Sequence, residues 1–112
     1  MLTHISKENN NMTVTVEGEL NTITTPQLAK AVEQLQDVSM LIFDLAKVRY
    51  VSSAGLRLFL NCQRTMMAAG GDMLIRNCNE FVMETFESVG YNRIMKVEAE
   101  SGTNKADARQ KQ

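Results

Sequence analysis

The stretch Met40-Leu41-Ile42-Phe43-Asp44-Leu45, followed by Val48-Arg49-Tyr50-Val51-Ser52-Ser53-Ala54-Gly55-Leu56, decides how this chain folds. Its first part is a continuous apolar run closed by Asp44-Leu45, the pattern of a central strand covered on both faces. Its second part opens a helix. Leu56, Phe59, Leu60, Gln63 and Met67 fall at helical spacing, with Ser52 or Ser53 placed to cap and Gly70 placed to stop the longest helix of the chain. A buried strand leading into an amphipathic helix is the repeating unit of a parallel α/β sheet.

Upstream, Met12, Val14 and Val16 alternate with Thr13, Thr15 and Glu17, which predicts a strand with one buried side from Asn11 onward. Asn9-Asn10-Asn11 is a turn signal, so a shorter strand over Leu2–Lys7 pairs with it as a hairpin. Thr24-Thr25-Pro26 starts a helix, because proline fits the first helical position and a threonine hydroxyl accepts an orphan N–H; Leu28, Val32 and Leu35 give it one apolar stripe from Thr25 to Gln36. Downstream, Asp72–Arg76 reads as a strand, and Asn79 caps a helix with stripe Val82, Phe86 and Val89, stopped by Gly90. Ile94–Val97 reads as a last strand. The order β-β-α-β-α-β-α-β implies a single α/β domain over residues 1–98, a mixed, largely parallel sheet of about five strands with about three to four helices. Residues 99–112 lack aromatic and branched aliphatic side chains, which predicts a flexible tail.

Composition narrows the function. With 12 Lys and Arg against 13 Asp and Glu, the net charge of −1 gives no electrostatic reason to bind nucleic acid or an anionic membrane. The N-terminus lacks the order of a signal peptide and no apolar run is long enough to span a bilayer, so a cytoplasmic address is expected. Cys62 and Cys78 fit no zinc spacing and read as reduced core fillers, as do most of the eight methionines. The only histidine, His4, lies in the terminal strand, so a nucleophilic serine has no evident general base. No GxxxxGK[ST], GxGxxG or HExxH motif is present. No cofactor, metal or catalytic residue is therefore expected. Asp44, at a buried strand's end, is read as accepting backbone hydrogen bonds, and Arg49, Arg57, Arg64 and Arg76 as dispersed and solvated.

Ser52 and Ser53 are placed where a loop becomes a helix, beside free N–H groups at the positive end of the helix dipole. Position alone leaves two readings open: one serine as N-cap with the other solvated, or an anion-accepting site.

The segment from Leu41 to Arg57, followed by Ala68-Ala69-Gly70-Gly71 and flanked by Val16-Glu17-Gly18-Glu19-Leu20 and Phe86-Glu87-Ser88-Val89-Gly90, resembles the STAS domain of bacterial anti-sigma factor antagonists. The resemblance runs from about residue 3 to about residue 98. It implies that Ser53 is reversibly phosphorylated by a serine kinase that doubles as an anti-sigma factor. It implies too that the unphosphorylated chain binds this kinase and so frees a sigma factor, and that a serine phosphatase resets the switch. ATP would be bound by the kinase, not by this chain. Ser52 stands where the family motif has Asp, and Ala54 where it has a second hydroxyl residue; Ser52 becomes a secondary acceptor. Partner contacts implied by the resemblance are Ser52, Ser53, Ala54, Leu56 and Arg57, with Asn21 and Thr22 in the preceding loop. A non-switching STAS subunit of a lipid-transport complex or sensory scaffold is the alternative it leaves. Nucleic-acid binding and direct membrane contact are not implied.

Overall fold

The structure, a computed structural model, describes residues 2–33, 35 and 37–100. Five strands form one sheet in the order β1-β2-β3-β4-β5: β1 (Leu2–Glu8), β2 (Asn11–Leu20), β3 (Met40–Val51), β4 (Asp72–Cys78) and β5 (Lys96–Ala99). The hairpin β1–β2 is antiparallel and every other pair is parallel. The connecting helices are α1 (Thr25–Ala31), α2 (Ser53–Ala68) and α3 (Glu80–Ser88), with a 3₁₀ turn over Tyr91–Arg93 before β5.

Neighbouring parallel strands follow one another in chain order, and right-handed connections then bring all three helices to the same face of the sheet. Burial alternates accordingly. Val14 and Val16 of β2, Leu41, Phe43 and Leu45 of β3, and Met73 and Ile75 of β4 are buried toward the helices. Met40, Ile42, Asp44 and Leu74, on the other face, are only half-buried. This corrects the expectation of coverage on both sides of Met40–Leu45: an apolar run does not reveal on which side its connections cross. At the centre, the Phe43 and Phe59 rings meet edge-on at 4.9 Å, and Phe59 reaches Phe86 of α3 at 5.7 Å, so strand and two helices share one core.

Several boundaries differ from the sequence reading. α1 ends at Ala31 rather than at Gln36, which lies outside the described residues. Val32 caps it out of helical geometry; Val32 and Val38 are buried, half-buried Leu35 packs against the same core, and Asp37 adopts φ +62°. β3 continues through Val48–Val51, so that Ser52 alone separates strand from helix and no loop intervenes. β4 runs on to Cys78. Val89 and Ile94 are exposed, and the last strand begins at Lys96, because Gly90 at φ +75° turns the chain into the 3₁₀ segment first and Met95 is the residue it buries. The tail expected from residue 99 falls on residues outside the description from 101 onward. Before that, Ala99 closes β5 and the Glu100 N–H donates to the Cys78 carbonyl at 2.9 Å.

Both cysteines are free and buried, as expected of core fillers. Burial pushes the Cys62 thiol up to about 11; Cys78 rises to about 12, mainly through burial and further through the charges of Asp44 and Glu100. Met12, Met66, Met73 and Met95 fill the core, whereas Met67 is 60% exposed.

Candidate functional site

The C-terminal ends of β2 and β3 lie side by side. Bulges in their pairing around Glu17 and Gly18, the latter at φ +108°, bring Leu20 opposite Val51. The turn after each strand is thereby held against the other, and the Ser52 N–H donates to the Leu20 carbonyl at 2.7 Å. In open parallel sheets this end carries the binding chemistry, because both following turns and a helix N-terminus converge there.

The two serines have different roles. Ser52 is the N-cap of α2: its backbone is extended and its Oγ accepts from the Gly55 N–H at 3.3 Å, satisfying one orphan donor of the first turn. Ser53 is the first helical residue and is exposed. The geometry thus separates a serine whose hydroxyl is engaged with its own helix from one that is exposed. Gly55 permits this arrangement. A Cβ there would meet Val51 Cγ1 at 3.0 Å and Leu20 Cβ at 3.1 Å, so the start of α2 sits directly on the strand ends.

The turn after β2 is built by Asn21. Its Oδ1 accepts the N–H groups of Ile23 and Thr24, each at 2.9 Å, and its carbonyl accepts the Thr25 N–H at 2.9 Å. The Thr24 hydroxyl accepts from the Asn21 N–H at 2.9 Å and donates to the Glu19 carbonyl at 2.6 Å. Thr24 is the N-cap of α1, yet its hydroxyl caps no helical N–H, a correction to the expected threonine cap; the side chain of Asn21 takes the Thr24 N–H instead. Asn21 is half-buried and committed to the turn, Thr22 is exposed, and Ile23 stands out at 75% exposure. Ile23 escaped the sequence reading because a lone apolar residue in a polar turn has no periodicity to mark it.

Of the remaining residues assigned to this site, Ala54 is half-buried and Arg57 is exposed one turn beyond Ser53. Leu56, expected as a contact, is buried at 7% exposure: it belongs to the same helical stripe as Phe59 and faces the sheet. His4 pairs with Thr15 in β1, five residues short of Leu20 along β2, or roughly 17 Å at strand spacing. Among the described residues no group of three or more His, Cys, Asp or Glu side chains is placed to hold a metal, and no helix is long and apolar enough to cross a membrane.

Asp44 lies away from this end, in the pairing of β3 with β4. It lies within β3 rather than at its expected end, yet its Oδ1 accepts a backbone N–H as expected, that of Ala46 at 3.1 Å. Its Oδ2 also accepts Asn77 Nδ2 at 3.1 Å and Arg76 Nε at 3.4 Å. Arg76 is therefore paired rather than simply solvated, because the strand register sets it directly across from Asp44. Arg49 is an exposed residue that reaches Glu19 at 3.7 Å.

Comparison with known proteins places this geometry in a family. An anti-sigma-B factor antagonist of Listeria monocytogenes is 25% identical over 98 residues, covering 86% of each chain. The solved structure of the anti-sigma factor antagonist SpoIIAA in its unphosphorylated form shares the fold with a TM-score of 0.76, at 18% identity over 86% of this chain and 87% of that one. SpoIIAA of Bacillus in its phosphorylated form superposes with a TM-score of 0.69, at 17% identity over 86% of this chain and 90% of that one. Residues 4–104 match the STAS domain, and the chain belongs to the STAS domain family.

Proposed function

We propose that this chain is an anti-sigma factor antagonist whose partner choice is set by phosphorylation of Ser53. Unphosphorylated, it binds an anti-sigma serine kinase and so releases a sigma factor; the kinase uses its own ATP to modify Ser53, and a serine phosphatase restores the binding form. The chain itself is a binding module without catalysis or cofactor. The observation that carries the reading is the exposed residue Ser53 at the start of α2, beside a Ser52 hydroxyl engaged as helix cap. Family membership supports it, as do the names of the relatives, one solved in two phosphorylation states.

The energetics favour a switch of binding over a switch of shape. A phosphate adds about −1.5 to −2 charges at pH 7, and at an exposed helix N-terminus it is stabilised by about 0.3–1 kcal/mol. The free domain therefore keeps its fold. Desolvating the same phosphate in an interface costs several kcal/mol unless cations pair with it, and about 4 kcal/mol turns a nanomolar complex into a micromolar one.

The test is incubation of the purified protein with a candidate anti-sigma serine kinase from the same organism and ATP, followed by phosphate mapping by mass spectrometry. Modification at Ser53, lost in Ser53→Ala, is expected; modification at another residue contradicts the assignment.

A further inference from the structure

β1 closes one side of the sheet, and no described strand lies beyond it. Its residues are exposed throughout, Leu2 to 67% and Ile5 to 39%, and its pairing with β2 runs without a bulge. The hairpin fixes which backbone groups are free. Glu8 and Asn11 face each other across the two-residue turn Asn9-Asn10, so they exchange hydrogen bonds, and the pattern alternates along an antiparallel pair. Leu2, His4, Ser6 and Glu8 therefore turn their N–H and C=O groups to β2. Those of Thr3, Ile5 and Lys7 point outward, with no strand to receive them among the described residues. Such an edge is a template for another strand. The opposite edge is not: β5 spans only Lys96–Ala99, and its register with β4 is irregular between Ile75 and Cys78.

We propose that β1 is a self-association edge: two copies of this chain pair β1 with β1, antiparallel about a two-fold axis through Ile5, and join their sheets into one. The strand is self-complementary about that point. Ile5 is its middle residue and has outward backbone groups, so this register matches the whole strand. Thr3, Ile5 and Lys7 of each copy bond Lys7, Ile5 and Thr3 of the other, roughly six hydrogen bonds in all. The Ile5 side chain, level with the buried Val14 on the helix side of the sheet, is covered by Ile5 of the second copy. No like charges meet, because Lys7 faces Thr3 and Glu8 faces Leu2. A two-fold axis at Lys7 sets lysine against lysine, one at Thr3 leaves Lys7 beyond the pairing, and one at His4 or Ser6 parts the two isoleucines. The contact is the same patch on both copies, so it closes as a dimer. One strand per copy buries less than the roughly 1,200–2,000 Å2 of stable complexes, so association is reversible and rises with concentration. The pairing uses none of Asn21, Ser52 or Ser53 and is independent of the partner switch.

Sedimentation velocity of the full chain over a concentration series tests this. A dimer fraction that grows with concentration is expected, weakened at least tenfold in both Ile5→Pro and Ile5→Lys. The proline removes an outward N–H and no bond to β2, so its circular-dichroism spectrum should match wild type. A wild-type protein that stays monomeric up to about 1 mM overturns the proposal, as does a dimer that both Ile5 variants form with wild-type affinity. The register is tested by mild oxidation of His4→Cys and Ser6→Cys proteins, since these positions face each other across the two-fold axis at a Cα separation of about 4.5 Å, within disulfide reach, while Cys62 and Cys78 are buried. Cross-linking of the mixture faster than of either variant alone is expected. Equal or faster cross-linking of His4→Cys alone overturns the register. Ile5→Lys and the cysteine pair keep the test decisive if Ile5→Pro fails to fold.

Discussion

The Ser52 backbone N–H donates to the Leu20 carbonyl at 2.7 Å, and this bond joins the two turns from which the candidate site is made. Through it the start of α2, with Ser52 as cap and Ser53 exposed, is fixed to the end of β2 and to the turn pinned by Asn21. A phosphate on Ser53 would therefore change the surface of a rigid corner without unfolding it.

The tightness of that corner predicts the effect of Gly55→Ala. The added methyl meets Val51 Cγ1 at 3.0 Å and Leu20 Cβ at 3.1 Å, atoms close to the backbone that cannot swing away. Overpacking of about 1–3 kcal/mol outweighs the helix-propensity gain of about 1 kcal/mol. Urea denaturation should show a net loss of stability of about 1 kcal/mol; an unchanged or higher midpoint would mean that α2 is free to move off the strands.

Asn21 is predicted to act on the turn rather than on a partner directly. Asn21→Ala leaves the Ile23 and Thr24 N–H groups without their acceptor and should cost about 1–2 kcal/mol in thermal or chemical denaturation. Asn21→Asp keeps the accepting oxygen and should retain wild-type stability. Equal losses from both substitutions would contradict the assignment of Oδ1 as the pin.

Phe59 bridges Phe43 and Phe86 at the centre of the core and is fully buried. Phe59→Ala should cost about 3–5 kcal/mol, a large share of the roughly 5–15 kcal/mol that stabilises a small domain. Circular dichroism at 37 °C would show partial or complete unfolding. A loss below about 1 kcal/mol would place Phe59 outside the load shared by strand and helices.

The buried thiols predict a pH dependence with a definite sign. Cys62 and Cys78 titrate in the folded protein at about 11 and about 12, against 9.0 for an unperturbed thiol, so the unfolded chain loses its thiol protons first. This contribution is fully present below pH 9 and falls as the pH rises from 9 toward 11–12. A disulfide reagent at pH 8 should react with neither thiol until denaturant is added. Rapid stoichiometric reaction of the native protein would show that the core is open at these positions.

Local signals account for what the sequence disclosed. Asn79 accepts the Val82 N–H at 2.8 Å as an N-cap, Val82 and Phe86 face the core, and Ser52 rather than Ser53 caps α2, one of the two possibilities that spacing alone left open. Features that depend on how elements meet were not readable. The apolar run Met40–Phe43 looks the same whether one face of the sheet is covered or two, and only the sequential strand order leaves Met40 and Ile42 on the uncovered face. Gly55 could be aligned with a motif, but its reason for being glycine lies in the closeness of Leu20 and Val51, residues from two other elements. Asn21 is named as a contact because the resemblance implies contacts in its loop; that its side chain also holds the turn through backbone N–H groups is a bond pattern no composition or periodicity reveals.

The most direct test of the account is sigma-factor release. A preformed complex of the anti-sigma kinase with its sigma factor is titrated with the unmodified protein and with protein carrying phosphoserine at position 53, and free sigma factor is measured. The account predicts release by the unmodified form and a loss of release of about a thousandfold in potency on phosphorylation, matching the roughly 4 kcal/mol cost of burying the phosphate. Equal release by both forms, or none by either, would contradict it.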